Sequence, residues 1–406
     1  MKFIVKFLAK RVLYLKRGFM KILITSDWYY PVVNGVVRSV MNLIEYLEDE
    51  GHDVRVLTLS NTTKSYRDGK VYYVGSLSAA KIYPQARISN LLAKSHQKEI
   101  KAWAPDVIHS QCEFSTFMMA RKLASDLEIP LVHTYHTVYE DYTHYFSPSE
   151  RAGKKMVALA SKTFAGFCDR IIVPTEKTYK LLLSYGIGSE KIDIIPTGIQ
   201  MPELFDKDIL RKSLGIEKDE KIILYLGRLG EEKNIEEIIS FYHKLKEEDI
   251  NLYIVGGGPY LEKLKSYAEN IKKKIVFTGM VDSNSVSRYY QAADIFASGS
   301  RSETQGLTYY EALSNATIAL CRDDSVLDGV IINGFNGFRY KDFDQFQNFV
   351  SRVFSDMEYK DLLEKNAREY ALEHFSVDNF GQKCLASYEK SIGEYIDESP
   401  NIFKRL

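Results

Sequence analysis

The chain has 406 residues, 45% of them hydrophobic and 27% charged, with Lys+Arg and Asp+Glu both totalling 54. That length exceeds what one hydrophobic core usually serves and predicts two domains, while the balanced charge removes any argument for nucleic-acid binding. No apolar run reaches the ~18 residues of a spanning helix, and the four scattered cysteines, Cys112, Cys168, Cys321 and Cys384, indicate neither a zinc knuckle nor a disulfide framework and fit a reducing cytoplasm.

Residues 1–19 are a basic amphipathic extension in which Lys2, Lys6, Lys10, Arg11, Lys16 and Arg17 alternate with apolar residues and no acid occurs. This composition suits an anionic membrane surface. Lysines break the apolar stretches and no small-residue cleavage site follows, which argues against a signal peptide. Two readings stand: a membrane-contacting segment, or residues upstream of a natural start at Met20, which directly precedes the first strand.

From Lys21 onward, apolar strand, loop and amphipathic helix repeat, the pattern of parallel sheets covered by helices. Strands are predicted at 21–26, 53–59, 70–75, 106–111, 130–137 and 170–175. The first helix, over 34–50, places Val36, Val37, Val40, Leu43, Ile44 and Leu47 at three-and-four spacing and stops at Gly51. A polar stretch beyond Gly198 reads as a linker, and the alternation restarts with strands at 221–229, 251–256, 274–281, 294–300 and 316–321. Helical patterns over 343–356, 360–373 and 377–395 close the chain. Two doubly wound domains follow, with ligands expected at the carboxyl ends of strands.

The most informative stretch is 302–312, Ser-Glu-Thr-Gln-Gly-Leu-Thr-Tyr-Tyr-Glu-Ala. It reads as the opening of a helix whose free N–H groups and positive dipole end make an anion site, with Gly306 admitting a phosphate close to the backbone. Glu303 and Glu311, eight apart, are expected over two turns of that helix on roughly the same side; an ordinary acidic helix start with a capping role is the bland alternative. Arg228 and Lys233 lie where a strand gives way to a helix and suit a diphosphate leaving group, although exposed charge is the default state of Arg and Lys. The Gly256-Gly257-Gly258-Pro259 run reads either as a place for a nucleotide or as a tight turn. The loop around Gly35 lacks the full dinucleotide fingerprint, so NAD binding is unsupported.

Residues 133–145 crowd His133, His136, Tyr139, Glu140, Asp141, Tyr142 and His144 at a strand's carboxyl end, a composition suited to a hydroxylated acceptor. A metal site from the three histidines is disfavoured because strand residues three apart point to opposite faces. Farther on, 149–167 sets Arg151, Lys154, Lys155 and Lys162 among apolar residues. This describes either a lipid-contacting helix or, more commonly, a solvated helix face.

Taken together, these stretches resemble the family 4 retaining glycosyltransferases over nearly the whole chain from Met20. The carriers are the paired glutamates Glu303 and Glu311, the Gly227-Arg228-Leu229 to Lys233 loop, the Gly35 loop and His136, in the family's order. A narrower likeness, carried by 107–115, 133–145 and Ser302-Glu303-Thr304-Gln305-Gly306-Leu307, is to the bacterial diacylglycerol α-glucosyltransferases. Many family members have Pro-Phe-Gly where this chain has Thr304-Gln305-Gly306, which favours that subgroup, and Asn315-Ala316-Thr317-Ile318-Ala319 replaces a common Gly-x-Pro turn.

The resemblance implies an α/β GT-B fold of two doubly wound Rossmann-like domains facing a cleft. An acceptor-side domain is expected over 20–197, a nucleotide-sugar-binding domain over 198–375, and a helix crossing back to the first domain over 376–406. Arg228 and Lys233 are expected to hold the donor diphosphate, aided by backbone near Gly35 and Gln305 to Leu307. Glu311 would hold the ribose, Glu303 the transferred sugar, and His136 would sit by the reacting carbon. The base would stack near Met280, and no metal or other cofactor is expected, the cationic pair taking that role. Acceptor-side candidates are His109, Tyr139, Asp141 and Tyr142; membrane-contact candidates are Lys2, Lys6, Lys10, Arg11, Arg151, Lys154 and Lys155.

The expected reaction moves glucose from UDP-glucose to diacylglycerol or a lipid-linked acceptor at the inner face of the cell membrane, with retention. Front-face attack is favoured over a carboxylate nucleophile, for which the sequence offers no obvious candidate. The rivals are a glycosyltransferase of capsule or other cell-surface polysaccharide synthesis, a nucleotide-sugar-binding protein without turnover, and a phosphorylase, for which no pyridoxal-phosphate lysine segment is recognised.

Overall fold

The computed structural model describes residues 18–398 apart from 33, 80–86, 90–93, 141–142, 144–146, 148 and 302, and without the side chains of 283, 284 and 396–398. Two compact units result, one from the chain up to Gly198 and again from Val377, the other from Ile199 to Ser376.

In the first unit the strands are β1 (Lys21–Ser26), β2 (Asp53–Leu59), β3 (Tyr66–Asp68), β4 (Val71–Val74), the hairpin β5 (Ser76–Ser78) and β6 (Arg87–Ser89), β7 (Val107–Ser110), β8 (Leu131–Thr134), β9 (Arg170–Val173) and β10 (Ile192–Ile194). Its helices are α1 (Gly35–Asp49), α2 (Lys94–Trp103), α3 (Ser115–Leu127), α4 (Glu150–Gly166) and α5 (Glu176–Ser184). The main sheet runs β10-β9-β8-β7-β1-β2-β4-β3, parallel except for the β3–β4 pair. Because side chains alternate across a strand, β1 sends Ile22 and Ile24 to one core and Leu23 to the other. A strand buried on both faces carries consecutive apolar residues, as in Ile22 to Ile24 of β1, Val107 and Ile108 of β7, and Ile171 to Val173 of β9.

The second unit carries β11 (Lys221–Leu226), β12 (Ile250–Val255), β13 (Ile275–Gly279), β14 (Ile295–Ser298), β15 (Ile318–Arg322) and β16 (Gly337–Tyr340). Its helices are α6 (Lys207–Ser213), α7 (Ile235–Lys244), α8 (Leu261–Ala268), α9 (Ser283–Ala292), α10 (Leu307–Ser314), α11 (Phe343–Ser355) and α12 (Met357–Phe375). The sheet runs β13-β12-β11-β14-β15-β16 with every pair parallel. Here too Ile222, Leu224 and Leu226 enter one core while Ile223 and Tyr225 enter the other. After α12 the chain returns to the first unit as α13 (Val377–Glu398), whose Phe380, Cys384 and Tyr388 join Val40, Leu43 and Leu47 of α1 in one core.

Each sheet reverses its strand order once, between β1 and β7 in the first unit and between β11 and β14 in the second. At such a switch point the loops leave in opposite directions and open a crevice at the strands' carboxyl ends. The predicted strands overrun there: 221–229 shortens to β11, 294–300 to β14 and 130–137 to β8. The residues beyond the carboxyl ends, Gly227 to Leu229, Gly299 and Ser300, and Tyr135 to Thr137, form the loops that carry the candidate site. Short β10 and β16, the β3 strand and the β5–β6 hairpin had no sequence signal long enough to stand out.

Candidate active site

In the second unit, the β11 and β14 loops meet across the switch point. Lys233, in a short 3₁₀ turn after β11 (Glu231–Lys233), places Nζ 2.6 Å from Glu303 Oε1 on the loop after β14. Their side chains are 22% and 15% exposed, so the pair is shielded enough to be stronger than a surface ion pair. Asn234 adds a second tie, donating from Nδ2 to Gly299 O at 3.1 Å. Arg228 lies more openly, paired with Glu232.

Gly306 fixes where α10 begins. Its φ of +74° is left-handed, and an added Cβ would enter the Tyr309 ring, so glycine is required on both counts. No side chain caps this end of α10, which leaves first-turn N–H groups open to an anion. The helix starts at Leu307, so Glu303 lies outside it. The expected two-turn relation between Glu303 and Glu311 is therefore incorrect: Glu303 is placed by its loop and Lys233. Glu311 alone projects from the helix, where Tyr290 donates its hydroxyl to Oε2 at 3.2 Å. Gln305 is buried and Leu307 half-buried, while Met280, just past β13, is 85% exposed.

The 256–258 glycines serve close backbone packing. A Cβ on Gly256 would strike Gly227 O, and Leu229 N donates to Gly257 O at 2.9 Å.

Sequence reading missed Glu237, on the first turn of α7. Its carboxylate accepts from Tyr340 Oη at 3.0 Å, Arg322 Nη1 at 3.1 Å and Arg301 Nη2 at 3.3 Å. One acid thus ties the Glu303 loop, the ends of β15 and β16, and the helix that follows Lys233. Nothing in its local sequence separates it from the neighbouring Glu236.

In the first unit, His136 follows β8 and is half-buried, with Nε2 2.7 Å from Gln111 Oε1. Desolvation brings its pKa down to about 4, outweighing the opposite pull of Glu113, so the ring is neutral at physiological pH. Tyr139 donates to Glu113 Oε2 at 2.5 Å, and His133 Nε2 lies 3.3 Å from Glu113 Oε1. His109 is placed differently from the expectation of an acceptor contact. It is fully buried, with Nδ1 2.6 Å from Tyr388 Oη and Nε2 2.7 Å from Thr134 Oγ1. Both nitrogens are used inside the core. Gly35 is the first residue of α1, whose N-cap Asn34 accepts from Val37 N at 2.9 Å.

On α4, Arg151, Lys154 and Lys155 are exposed, Lys154 pairing with Glu150 at 2.8 Å; Met156 and Leu159 stand 58% and 69% exposed beside them. Lys2, Lys6, Lys10, Arg11, Asp141, Tyr142 and His144 lie outside the described residues. Among the described residues, no three His, Cys, Asp or Glu side chains gather as metal ligands do.

Two doubly wound, Rossmann-like parallel sheets are the architecture of the GT-B glycosyltransferases. The profile of Glycosyltransferase Family 4 matches residues 33–201 and that of Glycosyl transferases group 1 matches 206–370. The chain is 34% identical over 388 residues to the alpha-monoglucosyldiacylglycerol synthase of Streptococcus pneumoniae, covering 92% of this chain and 86% of that one. It is 31% identical to the enzyme of the same name from Acholeplasma laidlawii, over 91% and 96% of the two chains. Among solved structures, Anabaena HepE in complex with UDP-glucose superposes with a TM-score of 0.71 at 15% identity, over 91% of this chain and all of that one. The protein belongs to the family 4 GT-B glycosyltransferases and is a hexosyltransferase.

Proposed function

We propose that this enzyme transfers glucose from UDP-glucose to diacylglycerol at an anionic membrane surface, with retention of the α configuration. The observation that carries the reading is full-length similarity to two alpha-monoglucosyldiacylglycerol synthases, joined to the Lys233–Glu303 pair at the second unit's switch point.

In this reading Lys233 and Arg228 neutralise the diphosphate, with the open N–H groups of Gly306 and Leu307 contributing partial positive charge. Glu311 holds the ribose and Glu303 a hydroxyl of the transferred glucose. The uracil packs near Met280, and Gln305 shapes the phosphate loop. His136 hydrogen-bonds the glucose beside its anomeric carbon, and Gly35 lets the start of α1 approach the phosphates. The anomeric C–O bond breaks with its electron pair leaving on the β-phosphate. The acceptor oxygen bonds to the same face of that carbon and gives its proton to the departing phosphate. Tyr139, Asp141 and Tyr142 are the acceptor-side residues.

For membrane contact, the exposed Met156 and Leu159 on α4 supply apolar area, while Arg151, Lys154 and Lys155 supply charge. Lys2, Lys6, Lys10 and Arg11 add to the same attraction, at the inner face of the membrane. Incubation with UDP-glucose and vesicles of diacylglycerol and anionic lipid tests the whole reading. Lipid-linked α-glucose is the expected product. Release of UDP without glucolipid overturns the acceptor and directs the search to soluble or polysaccharide acceptors; no UDP release overturns the donor.

A further inference from the structure

A chain of hydrogen bonds runs inward from His136. Nε2 of His136 meets Gln111 Oε1 at 2.7 Å. At the other end of the same amide, Gln111 Nε2 lies 3.1 Å from each ring nitrogen of His109. His109 in turn meets Thr134 Oγ1 at 2.7 Å and the Tyr388 hydroxyl at 2.6 Å. Gln111, His109, Thr134 and Tyr388 are all buried, and Tyr388 comes from α13, 279 residues along the chain from His109.

The chemistry of the groups sets the proton positions. An amide oxygen only accepts, so His136 must carry its proton on Nε2 to meet Gln111 Oε1, and the neutral ring keeps Nδ1 as an acceptor. Turned over, the amide would press its oxygen against both nitrogens of His109. Burial holds His109 neutral, so one of its nitrogens is a bare acceptor, and an amide oxygen 3.1 Å from it would set lone pair against lone pair.

We propose that Gln111, backed by His109 and Tyr388, is the positioning residue that holds His136 as its Nε2–H tautomer, with Nδ1 ready to accept a hydroxyl of the transferred sugar. The inference rests on the reading of His136 as the sugar contact and deepens it. It makes the C-terminal helix a working part of the site: α13 supplies the far end of the chain that orients His136. Outer partners of a functional imidazole act in this way, by fixing ring orientation and tautomer. The other titratable groups near His136 are Glu113 and His133, and both are occupied with each other.

The test begins with the unaltered full-length protein labelled with ¹⁵N-histidine, using His136→Asn to assign the signals. Two- and three-bond ¹H–¹⁵N correlations at neutral pH are expected to show His136 protonated at Nε2 and bare at Nδ1; the opposite tautomer overturns the proposal. Gln111→Leu and Tyr388→Phe are then expected to lower kcat about tenfold, the worth of one lost hydrogen bond, with donor KM within about twofold. Tyr388→Phe keeps its ring in the core, so its kcat is read on a folded protein, and wild-type kcat in both variants overturns the proposal. His136→Ala separates the underlying reading: wild-type turnover there removes the sugar contact, while the tautomer result stands independently.

Discussion

Lys233 Nζ and Glu303 Oε1 lie 2.6 Å apart although 70 residues separate them in the chain, one on the loop after β11 and the other on the loop after β14. The pair closes the switch point of the second sheet and joins the two residue types a sugar diphosphate needs. Replacing Lys233 by Ala leaves Glu303 without its cation and removes a charge from the proposed phosphate site. Steady-state kinetics with UDP-glucose are expected to show kcat/KM lowered by about 10²–10³. Unchanged kinetics would detach Lys233 from the donor.

Glu237 is expected to act through geometry alone. In Glu237→Gln the neutral amide holds Arg301 and Arg322 less strongly, because charge-assisted hydrogen bonds are roughly twice as strong as neutral ones. The Glu303 loop loosens, and donor kcat/KM is expected to fall by about tenfold. Glu237→Asp keeps the charge on a shorter stem and should recover part of that loss. Equal activity of all three proteins would show that the network serves the fold only.

Asp27 gives a pH signature. It sits buried at the end of β1, accepts from Thr116 N at 2.8 Å, and is pushed by burial from 3.8 up to about 6. Since the folded protein holds this proton more tightly than the unfolded chain, stability falls as pH rises from about 4 through about 6. The loss is on the order of 3 kcal/mol for a shift of this size. Asp27→Asn keeps the acceptor oxygen and removes the titration. Its melting temperature is expected to exceed that of the wild type at pH 7.5 and to match it near pH 4; equal differences at both pH values would refute the assignment.

The α4 surface predicts membrane binding in two separable parts. Met156→Ser with Leu159→Ser removes exposed apolar side chains without touching the core, and Arg151→Glu with Lys155→Glu reverses charge. Both double variants are expected to bind anionic vesicles at least about tenfold more weakly. Only the charge reversal should alter the salt dependence. Sedimentation with vesicles reads both effects, and wild-type partitioning of both variants would move the membrane contact away from α4.

The sequence alone determined the alternation of strand and helix in two successive series, and it marked the loops proposed to carry function. These features are local: an apolar run buried on both faces, a three-and-four helical stripe, and a glycine such as Gly306 at a turn, whose left-handed φ costs most side chains energy. Tertiary structure decided which loop residues meet. It moved Glu303 out of the helix and onto Lys233, turned His109 from an acceptor candidate into a core histidine, and brought Tyr388 and Gln111 into one chain behind His136. It also gathered Tyr340, Arg322 and Arg301 onto Glu237, with Tyr340 103 residues away. Partners at such separations leave no periodic trace in a single sequence. Their meeting depends on the order in which strands enter the sheet, and that order is set by packing across the whole unit.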